Sequence, residues 1–391
     1  MYNKNVLTVG ESATILVADM ARELKEQGKD IISFAVGEPD FDTPVRIKDA
    51  AKDALRHGFT KYTDLRGIKI LRETICEKLL RDNNLVYEPN EIVVSNGAKH
   101  ALFNSLYALV NPGDEVIVIT PAWVSYVEQI KLLGGVPIIV ESHNDFSLPH
   151  ERIKRSITDK TKVIILNSPC NPTGSVYSEE EIRKLADLVL EFNDLFVISD
   201  EIYEKIIYKP YKHFSIASVG SEMKERSVVI NGFSKAYSMT GWRMGYSASN
   251  VKIAKLIAKI QSHMTSCPNS ISQWSSLTAL DLSDKDVQKM VDIFEKRKNI
   301  IRDYLKGHPE LKFKEPNGAF YFFVDFSKYI GGKVKNSNEL SMYLLKNHYI
   351  ALTSGSAFYK ENYLRLSYAT SEKKIREGLR RLDNALEELG R

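Results

Sequence analysis

Lys235 stands just past an apolar run, Ser227-Val-Val-Ile230, in the stretch Asn231-Gly-Phe-Ser-Lys235-Ala-Tyr-Ser-Met-Thr-Gly-Trp-Arg243-Met-Gly-Tyr246. The run reads as a short buried strand, which puts the lysine in a Gly/Ser loop at a strand end, with Arg243 eight residues further on. Open α/β sheets place their chemistry in loops at the carboxyl ends of strands. An amine there can form a Schiff base with a carbonyl, and an arginine beside it can hold a dianion. Taken alone, such a lysine is more often an ordinary surface residue. Other reactive types recur at comparable places. Asn171 lies in the loop after Lys162-Val-Ile-Ile-Leu166, Asp200 follows Leu195-Phe-Val-Ile-Ser199, and Tyr203 comes three residues later. In a parallel sheet those ends share one edge, so residues far apart in sequence can surround one ligand.

The elements that must position them alternate. Glu91-Ile-Val-Val-Ser95, Glu115-Val-Ile-Val-Ile-Thr120, Val136-Pro-Ile-Ile-Val140, Lys162–Leu166, Leu195–Ser199 and Ser227–Ile230 read as strands, with Gly245-Tyr-Ser-Ala248 as a seventh. Helices separate most of them. One opens after Asn96-Gly97-Ala98-Lys99 and is broken by Asn111-Pro-Gly-Asp114, and another opens at the capping box Ser178-Glu-Glu-Glu181. Strands that are apolar throughout and separated by helices imply a mostly parallel sheet covered on both faces. Helical periodicity also marks about 13–28, 45–57, 67–83, 251–263, 270–281, a long charged helix at 284–306 and a last one at 371–388. Residues 310–391 change character. A strand pair around Ala319–Val324, an apolar stretch at Ile350–Thr353 and Tyr363–Tyr368 suggest a smaller α+β domain, joined through the 284–306 helix.

At 391 residues the chain exceeds the usual size of one core, so two domains are expected. Hydrophobic content of 43%, charged content of 27% and a net charge of +4 describe an ordinary soluble globular protein. Its basic residues are dispersed, which gives no support to a nucleic-acid or membrane partner. Cys76, Cys170 and Cys267 are odd in number and not at metal spacing, so no metal is expected and free thiols in a reducing compartment are. With no signal-peptide pattern at Met1–Leu7 and no apolar run near the ~20 residues of a span, the expected location is the cytoplasm.

Taken together, Val36-Gly-Glu-Pro-Asp-Phe-Asp-Thr-Pro44, Pro121-Ala-Trp-Val-Ser-Tyr126, Asn167-Ser-Pro-Cys-Asn-Pro-Thr-Gly174, Ser199-Asp-Glu-Ile-Tyr203, Ser234–Gly245 and Arg365-Leu-Ser-Tyr-Ala-Thr370 occur in an order that resembles the class I/II aminotransferases, pyridoxal-phosphate enzymes of fold type I. Within that family the chain looks most like the bacterial aspartate aminotransferase subgroup, from Gly37 to the final helix. The resemblance implies a large cofactor-binding domain over 45–290 and a small domain formed by both chain ends, 1–44 and 291–391. It implies that Lys235 carries pyridoxal 5′-phosphate as a Schiff base and then moves the substrate proton. Asp200 would pair with the pyridine nitrogen, which makes the ring an electron sink. Tyr203 and Asn171 would hydrogen-bond the 3′-oxygen, and Trp123 would stack on the ring. The amides of Ala98 and Lys99 at a helix N-terminus, with Ser234 and Arg243, would hold the phosphate. Tyr62 would reach the phosphate of a neighbouring subunit, which implies a homodimer. Arg365 would take the substrate α-carboxylate bidentately, with the Gly37 backbone beside it. Cis peptides are implied at Thr120-Pro121 and Asn171-Pro172.

In this subgroup a lysine just after the phosphate-loop glycine can take a distal carboxylate, and Lys99 matches it. Ser12-Ala-Thr14 matches a polar segment covering the site. Members that also use prephenate carry a lysine just before that segment, where this chain has Gly10 and Glu11, which tells against that second activity. The resemblance therefore implies transfer of the amino group of L-aspartate to 2-oxoglutarate. An aminotransferase for aromatic amino acids or alanine, or a lyase on the same scaffold, remains as an alternative, because the cofactor residues serve any Cα carbanion. A cofactor-binding DNA regulator would need an added N-terminal module, and the roughly thirty residues before Ile31 carry no basic recognition helix. A dehydrogenase would need a Gly-x-Gly-x-x-Gly turn after the first strand, and none is present.

Overall fold

The computed structural model describes residues 2–10, 13–282 and 284–390. Its centre is a seven-stranded sheet in the order Ile92–Ser95, Gly245–Ala248, Ser227–Gly232, Phe196–Asp200, Thr161–Asn167, Glu115–Thr120, Val136–Glu141. Only Gly245–Ala248 runs antiparallel to its neighbours. The other pairings are parallel. Apart from the edge strand Val136–Glu141, where Val136 and Ile139 are exposed, their β-branched runs are buried on both sides, as a sheet covered on both faces requires. Helices Ala98–Leu109, Ser125–Leu132 and Val251–Met264 pack Leu102, Leu106, Ile130 and Ile257 on one face. Helices His150–Ser156, Glu179–Leu190 and Ser221–Glu225 pack Ile153, Leu185, Val189 and Met223 on the other. The capping box forms as read: Ser178 Oγ accepts from the Glu181 amide at 3.2 Å and Glu181 Oε2 accepts from the Ser178 amide at 2.8 Å.

A second, antiparallel sheet runs in the order Thr353–Ser354, Tyr363–Ser367, Tyr321–Asp325, Lys312–Phe313. Of the strand pair expected around Ala319–Val324, one strand is Tyr321–Asp325 and the other is the short Lys312–Phe313, antiparallel to it. Ala319 has a φ of 54° and turns the chain before Tyr321, and the partners come from 363–367 and 312–313. Ile32–Ser33 pairs in parallel with Ile350–Ala351, so the two ends of the chain meet. Four helices not anticipated from periodicity are Lys4–Leu7, His150–Ser156, Ser221–Glu225 and Ser337–His348. The first three are short, and the last has a broken apolar stripe. Both expected cis peptides are present, together with cis Ser168-Pro169 and Lys209-Pro210. Among the described residues, no helix is long and apolar enough to cross a membrane.

Candidate active site

The carboxyl edge of the parallel strands opens into a cavity of about 630 Å³. Gly37, Ala98, Lys99, Trp123, Asn171, Asp200, Tyr203, Ser234, Lys235, Arg243 and Arg365 all line it, although they come from both sheets and from loops over most of the chain. The side chain of Lys235 leaves the loop after Ser227–Gly232 and donates to the Gly37 carbonyl at 2.5 Å. Burial lowers its pKa to about 8; the Glu38 charge opposes this, while Arg365 and Arg243 push it further down. Such an amine is partly neutral near physiological pH, which a nucleophile or general base requires.

Asp200 is the last residue of its strand, with its carboxylate aimed into the cavity. Tyr126 Oη donates to its Oδ2 at 2.7 Å and the Ile202 amide to its Oδ1 at 3.3 Å. Burial still raises its pKa to about 6, because those two donors only partly replace lost water. Asn167 Nδ2 fixes the strand end by donating to the Asp200 carbonyl at 2.9 Å, and its Oδ1 accepts from the Asn171 amide at 2.9 Å. Tyr203 places its hydroxyl 2.7 Å from that of Tyr321.

Arg365 projects from the antiparallel sheet. Its Nη1 donates to Asn171 Oδ1 at 2.8 Å and its Nη2 to the Ala35 carbonyl at 2.7 Å. Its guanidinium lies 4.5 Å from the Tyr321 ring centroid and 5.0 Å from that of Phe358. The side chain is 3% exposed and its Nε has no partner among the described residues. A buried guanidinium with an open donor and no paired carboxylate is a site prepared for an anion.

A second anion cup lies at the start of helix Ala98–Leu109. Gly97, at φ 87°, turns the chain so that the helix amides face the cavity, and a Cβ there would meet Arg243 Nη2 at 2.5 Å. Gly245 packs so closely against the Ala98 backbone that it has no room for a Cβ. Ser234 and Arg243 complete the cup. The Lys99 ammonium lies 4.8 Å over the Trp123 ring, with its pKa lowered by burial and by Arg243. Tyr62 does not reach the cavity of its own chain and is 90% exposed. Ser12 and Glu11 lie outside the described residues, as do the side chains of Ala13 and Thr14.

Several lining residues escaped sequence reasoning: Tyr126, Asn167, Tyr321 and Glu38. Glu38 Oε2 accepts from Thr240 Oγ1 at 2.9 Å across the cavity mouth. The Gly-Glu-Pro-Asp motif and the tyrosine of Pro121–Tyr126 were visible signals for two of them. Asn167 opens the quoted motif Asn167–Gly174, and Tyr321 carried no signal beyond residue type.

The model of the aminotransferase class I and II family matches residues 29–382. An aspartate aminotransferase of Bacillus sp. (strain YM-2) is 44% identical over 381 residues, 97% of each chain. A protein of Aquifex aeolicus (strain VF5) named "probable aspartate/prephenate aminotransferase" is 46% identical over 385 residues, 97% of this chain and 96% of that one. Among solved structures, aspartate aminotransferase from Thermus thermophilus with maleate superposes with a TM-score of 0.93 at 39% identity, covering 98% of this chain and 99% of that one. The aspartate aminotransferase from Rhizobium meliloti gives 0.95 at 36% identity, with 99% of each covered.

Proposed function

The chain belongs to the class I and II aminotransferases, and from that premise we propose that it is an aspartate aminotransferase that moves the amino group of L-aspartate to 2-oxoglutarate by a ping-pong cycle on pyridoxal 5′-phosphate. The observation that carries the reading is the convergence of Lys235, Asp200 and Tyr203 from one sheet with Arg365 from the other on one cavity. The residues fit the cofactor. The Gly97–Ala98 cup with Arg243 suits a phosphate, Asp200 a ring nitrogen, Tyr203 and Asn171 a phenolic oxygen, Trp123 a ring face, and Lys235 an aldehyde.

When bound, the cofactor supplies a protonated ring that draws electrons from the substrate Cα. Asp200 keeps that ring nitrogen protonated, and the cation in turn holds Asp200 as carboxylate against the burial that raises its pKa. Arg365 and Gly37 fix the α-carboxylate, and this orients the Cα–H bond toward Lys235. Lys235, as a neutral amine, would take the proton from the substrate Cα and hold it for return. Trp123 covers the ring and excludes water. Lys99, beside Trp123 and reaching the same cavity, takes the distal carboxylate. The Thermus relative solved with maleate, itself a dicarboxylate, supports this choice of substrate class.

The division into a 45–290 domain and a domain of residues 1–44 and 291–391 belongs to the same reading, as does a homodimer in which Tyr62 serves the neighbouring site. The three free cysteines suit a cytoplasmic protein. Closure of the smaller domain on Gly37 and Arg365 is expected, and crystal forms with and without a substrate analogue that show no rotation would refute it.

The test is a set of half-reactions. Protein loaded with pyridoxal phosphate receives aspartate, glutamate, alanine, phenylalanine or tyrosine, and loss of the visible band is followed with release of the oxo acid. Rapid conversion with aspartate and glutamate is expected. Lys99→Ala should lower aspartate turnover roughly ten- to a hundredfold more than alanine turnover. Equal losses would remove Lys99 from the reading. Conversion only with aromatic or small amino acids would move the substrate, and absence of the band would remove Lys235.

A further inference from the structure

Tyr321 has no role in the chemistry above, yet it touches both halves of the site. It is the first residue of strand Tyr321–Asp325, paired with the strand that carries Arg365. Phe323 is directly opposite Arg365, so Tyr321 lies diagonally from it on the same face, within reach of a long side chain. The Arg365 guanidinium therefore lies over the Tyr321 ring, 4.5 Å from its centroid. The Tyr321 hydroxyl leaves its own sheet and meets the Tyr203 hydroxyl at 2.7 Å, with the two rings packed edge to face at 5.8 Å. Tyr321 is fully buried and Tyr203 is 4% exposed, so neither hydroxyl can exchange this partner for bulk water. Gly37 closes over the junction, and a Cβ on it would lie 3.0 Å from the Tyr321 oxygen.

We propose that Tyr321 is a positioning residue that relays occupancy of the Arg365 carboxylate site to Tyr203, and so sets the strength of the Tyr203 hydrogen bond to the cofactor 3′-oxygen. The proposal rests on the functional reading above. With the 3′-oxygen present, the Tyr203 hydroxyl would donate its hydrogen bond to it and keep its proton, and the Tyr203 oxygen would accept from Tyr321. A donor that itself accepts a hydrogen bond donates more strongly. The guanidinium over the Tyr321 ring makes that phenol a better donor, opposing the burial that raises its pKa. A substrate carboxylate on Arg365 neutralises that field and weakens the chain. The 3′-oxygen then loses support as an anion, and the neighbouring imine nitrogen holds its proton to higher pH. That is the form open to attack by the substrate amine, and it is favoured once the substrate has docked.

The test compares wild type with Tyr321→Phe, which keeps the ring under Arg365 and removes only the hydroxyl. The visible band of the cofactor-loaded protein is titrated with pH, with and without maleate as a non-reacting dicarboxylate. The midpoint in Tyr321→Phe should rise by roughly half a pH unit, and the further rise caused by maleate should shrink. In a Tyr203→Phe background the same substitution should add nothing, since the relay is already cut. Site-specific 3-fluorotyrosine at position 321 keeps the hydroxyl and shape but strengthens the donor, and should lower the midpoint; it also serves if Tyr321→Phe does not fold. Unchanged midpoints and an unchanged maleate effect, with or without a lower melting temperature, would overturn the relay. A wild-type protein that forms no band would instead overturn the assignment of Lys235.

Discussion

Asp200 sits where folding and function pull in opposite directions. Burial raises its pKa to about 6, against an ordinary carboxylate value near 3.8. A raised folded-state pKa stabilises the fold below the unfolded value, and the benefit is lost as pH rises through the folded value. Above about pH 7 the cofactor-free protein therefore holds a charge it would rather neutralise, at a cost on the order of 2–3 kcal/mol. Asp200→Asn keeps the shape and removes that cost. The cofactor-free variant should be more stable than wild type at pH 8 by about that amount, with the difference shrinking toward zero near pH 4. Urea unfolding at several pH values reads this directly, and a difference independent of pH would refute it. The loaded variant should lose at least ~100-fold in the half-reaction, because an amide cannot hold the ring nitrogen protonated. Lys235, whose amine burial likewise drives toward its neutral form, shares the same tension.

The turn after strand Phe196–Asp200 divides its side chains between two tasks. Asp200 and Tyr203 face the cavity, while Glu201 and Glu204 turn into a buried charged cluster on the far side. Glu201 accepts from Ser199 Oγ at 2.8 Å, Ser215 Oγ at 2.6 Å and His213 Nε2 at 2.9 Å. Glu204 accepts from Asn83 at 2.7 Å and pairs with Lys78 of helix Lys69–Asn83. Burial acts to raise the Glu204 pKa, but Lys78, His213 and Asn83 outweigh it and hold the carboxyl below its ordinary value. The ligand atoms of Glu201, Glu204 and His213 come within 4.8 Å of one another, and the Glu204 carboxylate among them is already paired with the Lys78 ammonium. Glu204→Ala leaves Lys78, 3% exposed, with only Asn83 and a distant Asp82, and should destabilise the protein by about 3 kcal/mol or more. The corresponding fall in denaturation midpoint is the measurement. A change below ~1 kcal/mol would show that the cluster is not buried in solution.

At the scale of the whole molecule, the cavity gathers residues from both chain ends and the central sheet, and one expected contributor, Tyr62, points away at 90% exposure. If Tyr62 serves a neighbouring subunit, mixing inactive Lys235→Ala subunits with weakened Tyr62→Ala subunits creates hybrids with one intact site. Activity of the mixture should exceed the average of the two parents. A mixture that only averages them would place the function of Tyr62 within its own chain, or nowhere in catalysis.

The sequence by itself determined which segments become strands of the main sheet and that the sheet is mostly parallel, because apolar runs separated by helices need cover on both faces; the order of the strands across the sheet was decided by the tertiary structure. The sequence also determined the capping box at Ser178, which needs only neighbours three residues apart. Lys235, Asp200, Asn171 and Tyr203 were legible as candidates because each follows a strand, and strand ends share an edge. Arg365 was legible only through resemblance, since nothing local marks an arginine within Tyr363-Leu-Arg-Leu-Ser367 as a ligand-binding group. Only the tertiary structure decided which buried hydroxyls and amides support these residues. Tyr126 reaches Asp200 across 74 residues of sequence, and Tyr321 reaches Tyr203 across 118. Partners at such separations are set by how sheets and helices stack, and a tyrosine that will fill a core looks the same in sequence as one that will donate to a carboxylate.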